Sequence, residues 1–144
     1  MSLYLNTEKR LIYMRRGDSG ILQFVFQDDQ NDLDGALVTF AVKVDRSDSD
    51  AEAVIPKTYM LGKDTMVAPN IAYFYLTPED TQNLEIEPLR DRLDYQDYVW
   101  TLKIETEYGM LADTVIPYET DSFPKFRLYY GSVPDADKQT TIFN

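Results

Sequence analysis

The 144-residue chain contains no cysteine and no histidine. The first absence removes disulfides, thiolate metal ligands and cysteine nucleophiles, and the second removes the commonest general base near neutral pH. Together they exclude the usual zinc sites and both the Ser-His-Asp and the Cys-His arrangements. Basic residues are few: 14 Lys plus Arg stand against 25 Asp plus Glu, a net charge of −11, with no basic run to offset it. Such a surface repels phosphate backbones and anionic headgroups, so neither nucleic acid nor a membrane surface is an expected partner. No stretch approaches the roughly 18 apolar residues of a membrane-spanning helix, and the N-terminus lacks a basic segment leading into an apolar one. The sequence reads as a soluble, unprocessed protein.

What the chain does contain is apolar and aromatic: 44% hydrophobic residues, with 11 Tyr, 7 Phe and 1 Trp. Aromatics in this number supply enough buried area for a folded domain, and 144 residues are enough for one hydrophobic core. The apolar residues fall in short β-rich runs. Residues 11–14 suggest a short edge strand, followed by a turn in which Gly17 and Gly20 can supply positive φ. In residues 21–26, Leu22, Phe24 and Phe26 share one face; in residues 37–44, Val38, Phe40, Val42 and Val44 point inward, opposed by Thr39 and Lys43. Between these runs lies an Asp-, Asn- and Gly-rich surface crossing. Residues 53–61 form a strand that Pro56 confines to an edge or breaks in two.

Ile71–Leu76 is a continuous apolar run suited to a central strand. It leads into Thr77-Pro78-Glu79-Asp80, where Thr at the cap, Pro at the first position and Asp at the third predict a short helix reaching about Leu84. Residues 85–97 show no regular period. Residues 98–104 alternate cleanly, with Tyr98, Trp100, Leu102 and Ile104 inward and Thr101 and Lys103 outward. Tyr108 and Gly109 mark a turn into residues 110–118, and residues 126–130 form a last strand after Pro124. The expected fold is all-β: an immunoglobulin-like antiparallel β-sandwich of about seven to eight strands with one short helical turn. Residues 1–130 form this single domain, and the polar residues 131–144 form a tail or interaction arm.

No motif carries chemistry, so no catalytic, cofactor-binding or metal-ligating residue is assigned and no cofactor is expected. Asp28, Asp29, Asn31, Asp32 and Asp34 fall within seven positions. Anchoring a helix-loop-helix calcium loop on Gly35 puts Gln30 first and Ala41 twelfth, where Asp and Glu are needed, so a solvated turn is the better reading. Asp45, Asp48, Asp50 and Glu52 read as a charged, solubilising tip. Arg16-Gly17-Asp18 spells a cell-adhesion tripeptide, but its glycine serves the turn. Glu79, Asp80, Glu85 and Glu87 could supply a carboxylate pair for glycoside chemistry, yet acids in a first helical turn complement its dipole. Trp100 reads as core. The tyrosines at 73, 75, 95, 98, 108, 118, 129 and 130 are too many for all to be buried, and exposed tyrosines favour protein or carbohydrate contacts.

One resemblance goes further. Gly17-Asp18-Ser19-Gly20-Ile21-Leu22-Gln23-Phe24-Val25-Phe26, followed by Leu33-Asp34-Gly35-Ala36-Leu37-Val38-Thr39-Phe40-Ala41-Val42-Lys43-Val44, resembles the opening of the N-terminal domain of phage baseplate upper proteins. That family runs through a GD-type turn, an apolar strand, an acidic loop and a "Leu, small, Gly, Ala, x, Val, x, Phe" strand in this order. The likeness extends through Leu76-Thr77-Pro78-Glu79-Asp80 and through the strand before Gly109, spanning residues 16–118. Its motifs are alternation and turn residues rather than a chemical fingerprint. It implies an immunoglobulin-like domain without catalysis, a structural module of a phage or prophage virion tail that binds other phage structural proteins and forms a homo-oligomer. Members continue into stalk or receptor-binding regions, whereas this sequence stops at Asn144. A carbohydrate-binding or adhesion module on the same fold is the alternative, with Tyr73, Tyr75 or Tyr95 lining a shallow groove.

Overall fold

In the run LVTFAVK, β-branched and aromatic side chains recur at every second position, so an extended chain places Val38, Phe40 and Val42 on one face. All three are fully buried, and this pattern repeats along the chain. A computed structural model describes residues 3–6, 11–26, 33–45, 47–62, 70–82, 84, 95–106, 112–116, 124–129 and 141–142. They form strands β1 (Leu3–Asn6), β2 (Leu11–Arg15), β3 (Gly20–Val25), β4 (Leu37–Lys43), β5 (Ile55–Met60) and β6 (Ile71–Leu76), then helix α1 (Pro78–Gln82). β7 (Tyr95–Glu105), β8 (Ala112–Ile116), β9 (Lys125–Tyr129) and β10 (Thr141–Ile142) follow, and a 3-10 turn at Asp50–Glu52 precedes β5. The fold is mostly β, as the sequence suggests.

One sheet has eight strands in the order β10-β1-β2-β9-β7-β4-β5, with β8 also on β7; β3 and β6 make a second sheet of two. The 11-residue β7 organises the larger sheet. Along one edge it pairs with β4, from Leu37↔Glu105 to Lys43↔Val99. Its other edge is divided between β9, from Tyr95↔Tyr129 to Val99↔Lys125, and β8, from Leu102↔Ile116 to Glu105↔Ala112. The pairings are antiparallel except for β2 with β9, which is parallel. The larger sheet is therefore mixed rather than purely antiparallel.

A single apolar cluster takes side chains from both sheets. Leu22, Ala72, Phe74 and Leu76 from the small sheet join Ile12, Met14, Val38, Phe40, Val42, Trp100, Leu102, Ile104, Phe126 and Leu128 from the large one. Phe24 links them directly, its ring 6.2 Å from Phe40, 6.0 Å from Phe74 and 5.9 Å from Trp100. Phe40 in turn lies 5.6 Å from Phe74 and 5.7 Å from Trp100. These tilted and edge-on separations are the ones at which aromatic pairs attract beyond simple area burial.

Several expectations are corrected. Residues 21–26 and 37–44, which the alternation alone could not assign to the same or to different sheets, lie in different ones: β3 in the sheet of two and β4 in the larger sheet. β2 is not an edge strand, because it lies between β1 and β9. Ile71–Leu76 is not central among the described strands: there β6 pairs with β3 alone, and its continuous apolar run buries only Ala72, Phe74 and Leu76. Val44 lies past the end of β4 and is 61% exposed, while Lys43, expected outward in solvent, is only 7% exposed. Residues 95–97 extend β7 instead of lying in an irregular segment. Apart from these corrections, Thr141–Ile142 form β10, paired with β1.

Pro56 sits in the last strand of the large sheet, where its missing amide removes no bond needed by a further neighbour. The helix start is also as expected. The Asp80 carboxylate accepts the Thr77 amide N–H at 2.7 Å, the reciprocal half of a capping box, and Pro78 occupies the first position. The helix ends at Gln82, and a further turn bond runs from the Leu84 amide to the Thr81 carbonyl at 3.2 Å.

Candidate functional site

Alternation in the two-stranded sheet turns one face away from the core. With Leu22 and Phe74 inward, the opposite positions are Ile21, Gln23 and Val25 on β3 and Ile71, Tyr73 and Tyr75 on β6. Their cross-strand partners are Ile21↔Tyr75, Gln23↔Tyr73 and Val25↔Ile71. Val25 is 60% exposed and Tyr75 is 56% exposed, and the other four are half-buried. The ribbon is prolonged by a reciprocal pair of bonds: the Phe26 amide donates to the Asn70 carbonyl at 2.9 Å, and Asn70 Nδ2 donates to the Phe26 carbonyl at 3.2 Å. The face carries Ile21, Val25 and Ile71 beside Gln23, Tyr73 and Tyr75, with exposed Val25 and Tyr75 at opposite ends, and neither strand holds a charged residue.

The tyrosines singled out for sugar contacts are not gathered into one platform. Tyr73 and Tyr75 share the outer face of β6, but the Tyr59 ring meets Tyr73 edge-on, 6.2 Å away at 62°. Tyr95 lies on the other sheet, packed edge-on against Tyr129 at 5.4 Å. Tyr98 and Tyr129 are buried, and Tyr108, Tyr118 and Tyr130 lie outside the described residues. Trp100 is core.

The acidic groups prove to be structural where they are described. Asp45 Oδ1 accepts the Ser47 amide and hydroxyl at 3.0 and 3.1 Å, and Asp48 Oδ2 accepts the Asp45 amide at 3.1 Å. Glu52 Oε1 accepts the Ser49 amide and hydroxyl at 3.0 and 2.9 Å, and the amide bond above all holds its carboxyl below the usual 4.5. Asp50 meets buried Lys43 at 2.8 Å, which fixes the 3-10 turn to β4. This segment is thus a clasp as well as a charged tip. Asp34 lies against Gly62 in the turn that follows β5. Asp28, Asp29, Asn31 and Asp32 lie outside the described residues, among which no acidic group is arranged to hold a metal.

The adhesion tripeptide is spent on the fold. The Arg16 guanidinium donates to the Gln82 carbonyl at the end of α1, the Gly17 amide to Thr81 Oγ1 at 2.9 Å, and the Arg16 amide to the Tyr129 carbonyl at 2.8 Å. Gly17 has φ +82°, the left-handed conformation that the turn demands. Asp80, besides its cap, meets Lys57 at 2.8 Å; Glu79 is exposed, and Glu85 and Glu87 lie outside the described residues.

One constellation had no sequence signal. Arg127 on β9 donates through Nε to Asp97 Oδ1 at 2.8 Å and through Nη2 to Oδ2 at 3.2 Å, and lies 4.0 Å over the Tyr95 ring. The Asp97 bonds hold the guanidinium proton more tightly than in a free arginine, against the opposing effect of burial. Lys125 approaches the same carboxylate at 3.8 Å. The group latches β7 to β9. Its members are 30 residues apart, a separation at which pairing is set by topology alone. The outer face of β3 and β6 did have a signal: neither strand holds a charged residue. Comparison with family models, curated proteins and solved structures returns no match for the chain.

Proposed function

We propose that the chain is an immunoglobulin-like sandwich acting as an assembly module of a phage or prophage tail, working by protein–protein contacts with other tail proteins and with its own copies. The fold reading rests on strand order. β9-β7-β4-β5 follows the G-F-C-C′ order of a variable-type immunoglobulin sheet, and β3 beside β6 corresponds to B beside E. This agrees with what the resemblance to baseplate upper proteins implies. The observation that carries the functional reading is the outer face of β3 and β6, which carries Ile21, Val25, Ile71, Tyr73 and Tyr75 and no charged residue.

The test is genetic and then biochemical. The reading frames flanking this one should encode tail components, and co-expression with their products should yield a stoichiometric complex on size exclusion. Flanking genes of unrelated metabolism, together with no complex, would overturn the proposal. The carbohydrate-binding alternative is favoured by one observation, the exposure of Tyr75 beside Tyr73. It predicts glycan-array binding that is lost in Tyr75→Ala; an array without signal removes it.

A further inference from the structure

Among the described residues, the large sheet ends in β5 on one side and in β10 on the other. An edge strand is a ready template for pairing with another chain, and natural edges are blunted with Lys or Pro. β5 carries both, Pro56 and Lys57. β1, the strand next to β10, reads LYLN and carries neither. Its edge is covered instead by β10, which pairs Thr141 with Leu5 and Ile142 with Tyr4, two of the four residues of β1. So short a pairing makes few main-chain hydrogen bonds to set against the entropy of closing the eleven-residue connection from β9, residues 130–140.

That connection is also longer than pairing within one chain requires. From β9 the sheet runs through β2 and β1 to β10, three strand spacings of about 4.8 Å each. Eleven extended residues reach roughly 36 Å, more than twice that width. The charges on the two sides are opposed. Residues 1–16, which include β1 and β2, hold Lys9, Arg10, Arg15 and Arg16 against Glu8 alone, whereas residues 131–144 hold Asp135 and Asp137 against Lys138. Resting on the assembly reading above, we infer that β10 is an exchangeable strand, and that two copies of the chain join by each laying its β10 on β1 of the other. The exchange needs no new complementarity, because the strand keeps the register Leu5↔Thr141 and Tyr4↔Ile142 and the same opposition of charge.

The chain has no cysteine, so an introduced disulfide reports the exchange without background. Directly opposed residues of neighbouring antiparallel strands lie within disulfide distance. Leu5→Cys and Thr141→Cys are made singly in two full chains and together in a third. Oxidised as a mixture, the two single variants should give a linked heterodimer in at least tenfold excess over either homodimer. Its yield should rise with added salt, because each copy carries a net charge of −11. The double variant should give linked dimers. Ile142→Pro, added to the Thr141→Cys chain, should cut the heterodimer at least tenfold; a yield that survives it overturns the inference, since the link then owes nothing to strand pairing. A double variant that closes wholly into a bridged monomer, with the single variants unlinked, overturns it as well, because β10 then stays on its own chain. If the wild type nonetheless self-associates in sedimentation or forms the co-expressed complex, the assembly reading stands and only the exchange is wrong. Absence of both removes the assembly reading itself.

Discussion

Arg127 is held by two bonds to one carboxylate and by the face of an aromatic ring, a combination that a lysine cannot reproduce because its ammonium is a point donor. Arg127→Lys should therefore cost about 1 kcal/mol in urea denaturation despite keeping the charge. Asp97→Asn should cost a similar amount, with the double variant less than additive. Gly62, at φ +77°, sits where an added Cβ would land on the Asp34 carboxylate. Gly62→Ala should cost about 2 kcal/mol or more, and Asp34→Ala should recover only the steric part, since the left-handed backbone still disfavours alanine by about 1 kcal/mol. Glu52 gives a pH signature. Its folded pKa is below the usual 4.5, so its contribution to stability is present above that value and is lost as the pH falls through the lowered one. NMR titration should find the depression reduced in Ser49→Ala, which loses the hydroxyl donor but keeps the amide. At this scale the sequence was least informative: nothing in it joins Asp97 to Arg127 or Lys43 to Asp50, because both pairs depend on strand register and on the fold of the intervening chain.

Elements were more legible where the signal was local. Thr77, Pro78 and Asp80 announced the start of α1 because capping is complete within four residues, and the bond from the Thr77 amide to Asp80 realises it. Asp80 also ties the helix to Lys57 on β5, so Asp80→Ala should cost about 1–2 kcal/mol, whereas Asp80→Asn, which can still accept the cap bond, should cost less. Alternation likewise identified Val38, Phe40 and Val42, and Tyr98, Trp100, Leu102 and Ile104, all of them buried. It misled for Ile71–Leu76, since Tyr73 and Tyr75 are apolar enough to resemble buried positions while facing outward. It could not show that residues 95–97 belong to β7, where Asp97 and Gln96 break the apolar pattern but pair with Arg127 and Leu128. Trp100, between Phe24 and Phe40 at the junction of the two sheets, should be the most costly single truncation: Trp100→Ala is expected to lose about 3–5 kcal/mol in chemical denaturation.

For the whole molecule, the sequence composition pointed to a β-rich fold, and the described residues form a main core fed by two sheets of very unequal size, with a smaller cluster around Tyr13 and Tyr129. That inequality is the feature from which the functional account grows. Eight strands leave one sheet with a blunted end strand, β5, while two strands leave the other with an uncharged ribbon and an apolar outer face. The strand order could not be read from the sequence, because the parallel pairing of β2 with β9 joins residues more than a hundred positions apart, such as Ile12 with Phe126. Among the described residues no helix is long and apolar enough to cross a membrane. The central claim is that the chain assembles with a partner through the β3–β6 ribbon, and hydrogen–deuterium exchange on the full chain, free and in its co-expressed complex, tests it most directly. The account predicts new protection in Gly20–Val25 and Ile71–Leu76 with β5 unchanged; protection confined to β5 or to the large sheet, with the ribbon exchanging as in the free chain, would contradict it.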